Sequence, residues 1–321
     1  MSKNTALELR PSYWASVSGG KDSTVLLHIA REIYPDIEAV FVDTGLEYPE
    51  IRQFVKTFEN VTILRPKMRF DEVIKKYGYP MISKEVSECV HSARFCTGEK
   101  YKLQRLKKLS GELKDSDGNK SIFNMTKYKP LLDVDFKISN KCCHIMKKAP
   151  VHNYAKKSNK KPITAQMAEE SRLRQQQWLY NGCNGFDMTT PISNPMSFWT
   201  EHDVLKYILQ NDIKIASVYG DVVCVAEFVQ IDFWGEGESK LKTTGCDRTG
   251  CMFCGFGCHI DKSPTRFERI KKSHPRQYEY CIGGGEYDEN GFWIPNKQGL
   301  GLGKVFDDLN AIYGDDFIKY K

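Results

Sequence analysis

No apolar run in this chain of 321 residues is long enough to span a bilayer. The N-terminal stretch also lacks the apolar core of a secretion signal, so the expected location is the cytoplasm, away from membranes. Internal repeats are missing, which excludes solenoid and propeller architectures. A strong excess of one charge is missing as well. Against 47 Lys and Arg stand 41 Asp and Glu, a net charge of +6 spread along the chain. So mild a basic balance suits anionic ligands and does not require nucleic acid.

What the chain has is cysteine, and a glycine-rich turn near its start. Eleven cysteines in a cytosolic chain are read first as ligands or redox groups and only then as disulfides. A hydrophobic fraction of 40% is enough for a proper core. Near the N-terminus, Tyr13-Trp14-Ala15-Ser16-Val17 reads as a short buried strand. Val25, Leu26, Leu27, Ile29, Ala30 and Ile33 then recur at helical spacing. Between them lies Ser18-Gly19-Gly20-Lys21-Asp22-Ser23. A strand, a Gly-Gly turn and a helix make an anion cradle, because glycines admit close backbone approach and the helix N-terminus offers free N–H groups. The common nucleotide P-loop is excluded here. Ala15 stands in place of its first glycine, and Asp22 in place of the Ser or Thr after the lysine. Lys21 reads as an exposed loop cation.

Two strand–helix units, a third strand Val61–Leu64 and a helix Phe70–Tyr77 give an α/β alternation and predict a twisted parallel sheet with helices on both faces. Residues 84–108 read as helical and basic, 109–128 as a polar insert, and Lys156–Lys161 as a basic loop. Ile163–Met167 is a candidate late strand and Glu201–Leu209 a helix, with Thr200 as N-cap and Asp203 completing the box. The expected division is a nucleotide-binding domain over 1–212 and a smaller cysteine-rich, metal-binding region over 213–321.

Cys246, Cys251, Cys254 and Cys258 fall within thirteen residues, with glycines that free the backbone to turn thiolates inward. Tetrahedral zinc uses similar spacings, and the first three also match a two-iron ferredoxin pattern. Cys142-Cys143 lies farther upstream among basic residues. On a helix the two side chains diverge, so only one reaches a given metal. Cys89, Cys96, Cys183, Cys224 and Cys281 are scattered and read as buried structural thiols.

The Ser18–Ser23 segment resembles the PP-loop of the ATP pyrophosphatase superfamily. Phe41-Val42-Asp43-Thr44-Gly45-Leu46-Glu47-Tyr48-Pro49-Glu50 resembles the matching segment of its phosphoadenylyl-sulfate (PAPS) reductase family. The double cysteine followed by a distant Cys-x-x-Cys is similar to iron–sulfur sulfonucleotide reductases and to the ATP pyrophosphatase of DNA phosphorothioation systems. Ile163 to Arg174 resembles the family's phosphate-side segment, with Ala165 and Met167 where many relatives carry Gly and Arg. Pro191–Ile208 resembles a structural signature of the family.

The resemblance implies an adenine nucleotide alpha-hydrolase-like fold that splits ATP to AMP and pyrophosphate and activates an acceptor for sulfur transfer. By it, Ser18, Gly19, Gly20, Lys21, Ser23 and Asp43 bind the nucleotide, and Lys21, Asp22 and Arg172 carry catalysis. Asp22 or Asp43 positions Mg2+. Cys143 (or Cys142), Cys246, Cys251 and Cys254 hold a [4Fe-4S] cluster, with Cys258 in reserve and zinc as the alternative. A cysteine desulfurase is the implied sulfur donor. A nucleic-acid acceptor fits the polar insert and basic tract, although a solvated basic loop is the commoner explanation.

Reduction of a sulfonucleotide is the competing activity. It is disfavoured by the intact loop and by the lack of a cysteine after Cys281. A nucleotide sensor or scaffold without turnover is the competing class. The oligomeric state is not legible.

Overall fold

A computed structural model describes residues 13–231 and 237–321. Its main sheet starts with β1 (Tyr13–Val17), which runs into α1 (Lys21–Ile33). Next come β2 (Ala39–Val42), α2 (Pro49–Val55) and β3 (Val61–Leu64). β1 pairs in parallel with β2, with Ser16 opposite Val40, and β2 pairs in parallel with β3. On its other side β1 pairs in parallel with the strand Lys161–Ile163, which in turn pairs with Ile192–Ser193. Asn184–Gly185 closes this edge antiparallel. The expected fold class is present: a mostly parallel sheet flanked by helices on both sides.

The order of strands makes β1 the turning point. The chain builds outward from β1 through β2 to β3, then returns to β1's opposite side. In such sheets the crevice beyond the strands' carboxyl ends at the switch point is where ligands bind. Ser18–Gly20 sits there. Burial explains the alternation of elements: Trp14, Ala15, Ala39 and Val40 are buried almost completely, as near-continuous apolar strands of a covered parallel sheet must be. Val25 and Leu26 of α1 pack with Val204, Leu205 and Ile208 of the Glu201–Gln210 helix, with Met167 and Met196 in the same cluster.

The chain forms two compact units, and both are discontinuous. One takes the residues up to Pro66 together with Ala149–Gly250; the other takes Lys67–Lys148 with Cys251–Lys321. The linear division at 212/213 therefore differs from the observed one. The strand Lys161–Ile163 returns to β1 after residues 67–148, which belong to the other unit. That second unit is largely helical, with Phe70–Tyr77, Lys84–Phe95, Glu99–Ser110, Arg266–Ser273, Pro275–Ile282 and Leu302–Tyr313. Phe267 and Phe306 meet at a centroid distance of 4.9 Å in its core.

Three local expectations change. The basic 84–108 stretch is two helices, interrupted at Cys96–Gly98. Lys156–Lys161 is not a loop: it spans the end of the Ala149–Ser158 helix and the start of a strand, and Lys160 pairs with Glu38 at 3.0 Å. The late strand ends at Ile163 instead of beginning there. No helix among the described residues is long and apolar enough to cross a membrane.

Candidate functional site

The turn after β1 is shaped by its own residues. The backbone N–H of Ser18 donates to Ser23 Oγ at 3.0 Å, and the two serine hydroxyls lie 3.1 Å apart. Ser23 Oγ and Thr24 Oγ1 also donate to the Gly20 carbonyl, at 3.1 and 2.9 Å. Gly20 is the N-cap of α1 and gives no side-chain cap. Gly19 has φ +72°, and a Cβ there would lie 2.7 Å from Ile51 and 2.9 Å from Val55. Glycine is required twice over at this position, by backbone hand and by the packing of α2.

Lys21 is not the exposed loop cation expected. It is the first residue of α1 and only 4% exposed. Its Nζ donates to Glu201 Oε1 at 2.7 Å and lies 5.4 Å from the centre of the Tyr219 ring. Helix geometry turns the first residue inward toward the neighbouring helix N-terminus, where Glu201 stands. Thr200 caps that helix reciprocally with Asp203, at 3.2 and 2.8 Å, as its sequence predicts. A segment read as architecture thus also delivers an acidic partner to the loop lysine.

Asp22 faces Lys21, Arg248 and Glu201. Burial dominates these influences and pushes its carboxyl above the usual range. Asp43, at the end of β2, accepts from the Gly45 N–H at 3.1 Å and from Arg52 at 2.8 Å. Arg172 is exposed at the start of the Arg172–Asn181 helix, whereas Arg174 is half-buried. Arg174 pairs with Glu170, as the i,i+4 spacing predicts, and Glu170 also meets Arg248 at 3.8 Å. Burial lowers Arg174's pKa, and the neighbouring Arg248 adds to this. Met167 is buried in the core against α1.

Arg248, Glu201 and Tyr219 are the residues that sequence reasoning missed. Arg248 was hidden inside a cysteine pattern read only for metal. Tyr219 carries no motif: its hydroxyl sits 2.5 Å from Thr249 Oγ1 and 3.4 Å from where a Gly20 Cβ would be.

The thiols fall into both units. Cys246 belongs to the sheet unit, where its N–H donates to Val218 O at 2.9 Å. Cys142, Cys143, Cys251, Cys254 and Cys258 belong to the helical unit. Cys142 and Cys143 lie on a single helical turn, Lys141–Cys143, that continues as a π-turn through Lys148. The adjoining Cys142 thiol is the main cause that holds the Cys143 thiol below its ordinary range, against burial, and Lys84, Lys147 and Lys148 assist. The same pairing, with burial, pushes Cys142 far up, and Cys254 and Cys251 add to it. Burial raises Cys254 as well.

Cys258 donates to the Gly255 carbonyl at 3.0 Å, and burial pushes its thiol up to about 12. Arg266 braces this loop. Its Nη1 donates to the carbonyls of Cys254 and Phe256 at 3.0 and 2.9 Å, while Nε and Nη2 fork onto Asp261 at 2.7 and 2.9 Å. A row of thiols suits soft metals. Yet among the described residues no three His, Cys, Asp or Glu side chains are arranged to hold a metal ion. The donor chemistry by itself fits a cluster or zinc. Of the scattered thiols, Cys89 and Cys281 are buried as expected, and Cys224 is exposed instead.

The sequence profile described as "Phosphoadenosine phosphosulfate reductase domain" matches residues 12–113 and 96–255. The chain belongs to this family. Two uncharacterized proteins of Methanocaldococcus jannaschii are similar in part. One is 41% identical over 70 residues, 20% of this chain and 17% of that protein; the other is 34% identical over 120 residues, 36% and 23%. The chain thus spans less than a quarter of either relative. Among solved structures, a PAPS reductase from Candida auris in a phosphate complex aligns with TM-score 0.36 and 15% identity, covering 67% of this chain and 79% of that one.

Proposed function

We propose that this chain is a PP-loop ATP pyrophosphatase that adenylates an acceptor and so prepares it for sulfur transfer. The observation that carries the reading is the self-braced Ser18–Ser23 loop at the sheet's switch point, with a lysine ammonium held at the helix N-terminus. In the proposed step a nucleophile of the acceptor attacks the α-phosphorus of ATP. The bond to the α–β bridging oxygen breaks, and pyrophosphate leaves with the electron pair. Gly19 and Gly20 admit the phosphates against the backbone, and Ser18 and Ser23 offer hydroxyls. Lys21 stabilises the charge that grows on the leaving group, a preorganised electrostatic role. Asp22 suits Mg2+ better than Asp43, whose carboxylate is already occupied by Arg52 and a backbone N–H.

A [4Fe-4S] cluster, or zinc in its place, stays within the proposal through Cys143, Cys251 and Cys254; when bound, a cluster supplies iron and sulfide for electron or sulfur transfer. A cysteine desulfurase as sulfur source and a nucleic-acid acceptor belong to the proposal on family grounds and basic character alone.

The test is pyrophosphate release from Mg-ATP by anaerobically purified protein, with and without candidate acceptors, alongside iron and sulfide analysis. ATP binding without release would instead make the chain a sensor. The family's description favours one other reading, reduction of a sulfonucleotide. Steady release of sulfite from adenylyl sulfate or its 3′-phosphate with thioredoxin would put that reading first.

A further inference from the structure

The cations beside the loop are more numerous than the loop sequence discloses. Lys21, Arg174 and Arg248 share a neighbourhood with three carboxylates, Asp22, Glu170 and Glu201. The residues around Arg248 are stitched down. Thr243 Oγ1 donates to the Cys246 carbonyl at 3.0 Å, the Gly245 N–H donates to Tyr219 O at 2.8 Å, and Thr249 meets the Tyr219 hydroxyl beside Gly20. A fixed backbone therefore holds Arg248 next to Thr249, within electrostatic reach of Asp22, while its side chain stays 55% exposed.

Its contact with Glu170 is loose, at 3.8 Å, whereas Glu170 is otherwise committed to Arg174 and to the Met167 N–H at 3.1 Å. Without Arg248, Glu170 would still keep Arg174 and the Met167 N–H. An exposed guanidinium in a long ion pair gives up little on moving to a better anion. It is also a geometric match for a phosphate's oxygens, to which it can donate two parallel hydrogen bonds.

We infer that Arg248 is a nucleotide-binding residue which exchanges its Glu170 contact for the phosphate chain of the bound nucleotide. Glu170 is its stand-in anion in the unliganded protein, and Arg174 keeps Glu170 neutralised after the exchange. The inference deepens the reading of Ser18–Ser23 as a nucleotide loop and rests on it.

Calorimetric titration of the full chain with Mg-pyrophosphate and with Mg-ATP tests it. Arg248→Ala should weaken both ligands by about tenfold to a hundredfold, the worth of a charge-assisted contact. Arg248→Lys should recover part of that loss. Glu170→Gln should tighten both ligands, because the competing anion is gone, and should do so only while Arg248 is present. A bracing role for Arg248 would instead make both single changes weaken binding. Circular dichroism checks that each variant folds; Arg248→Ala is the decisive one, since the side chain is exposed. Unchanged affinity in Arg248→Ala, with the wild type binding normally, overturns this inference alone. A wild type that binds neither ligand overturns the nucleotide reading itself.

Discussion

The Ser18–Ser23 turn and the Cys251–Cys258 turn are both short, glycine-bearing loops, and they keep their shapes by opposite means. The first satisfies its polar groups from within: its hydroxyls bond to its own backbone, and the strand and helix on either side set its ends. The second borrows. Its carbonyls are held by Arg266, farther along the chain, and Gly255 and Phe256 pair in parallel with Met81 and Ile82. A Cβ on Gly255 would lie 2.5 Å from the Pro80 carbonyl, as one on Gly19 would crowd Ile51, so the two loops differ in their hydrogen bonds and share the need for close glycine packing. A self-contained loop is legible as a motif, whereas a borrowed one shows its ligand types without its arrangement.

The sharpest way to break this comparison is through Lys21. Lys21→Ala should lower pyrophosphate release about a hundredfold, the loss of one preorganised charge contact of roughly 3 kcal/mol. Because Lys21 is buried and paired with Glu201, the same change should also cost about 1–2 kcal/mol of stability, read from urea denaturation. Full turnover in this variant would remove the nucleotide assignment. Unchanged stability would say that the ion pair contributes nothing.

Gly19→Ala tests whether the first loop's shape is as locally determined as its bonds suggest. A left-handed backbone plus contact with Ile51 and Val55 should cost roughly 2–3 kcal/mol. A neutral result would mean that α2 can yield. In the second loop, Arg266→Ala should cost about 2 kcal/mol through two lost carbonyl contacts and an unpaired Asp261. Hydrogen exchange should then speed up over 254–261 and stay unchanged over 18–24. Equal acceleration in both segments would erase the distinction drawn between them.

The smallest effect concerns Asp22. Burial raises its carboxyl in the folded protein above the unfolded value, so its contribution to stability is present below the ordinary carboxylate range and is lost as pH rises through the raised value. At neutral pH the charged form is therefore a penalty, and Asp22→Asn should raise Tm slightly near pH 7, with the gain shrinking toward pH 4. A gain that persists at low pH would point to packing instead of charge.

Much of the chain up to Tyr77 could be read in advance. The strands Tyr13–Val17 and Val61–Leu64 and the helix Phe70–Tyr77 start and end where apolar spacing puts them. The Thr200–Asp203 cap was legible for the same reason: each depends on residues within one turn. The Lys156–Lys161 tract was misread because charge alone does not separate a helix end from a loop, and Lys160 finds Glu38 only through the sheet. Cys142 and Cys143 were expected to diverge. The fold keeps them coupled, so that the Cys143 thiol is lowered and the Cys142 thiol raised.

The amino-acid order by itself determined the Ser18–Ser23 turn, the parallel α/β alternation and the identity of the thiols. These rest on periodicity and on local hydrogen bonding, which the order of side chains specifies directly. Tertiary structure alone decided that Lys21 is buried against Glu201, that Arg248 and Arg174 share Glu170, and that Cys246 lies in a different unit from Cys143, Cys251 and Cys254. Each of those facts depends on where the chain returns to after a long excursion. That return is set by the summed burial of many apolar residues, and no short stretch of sequence encodes it.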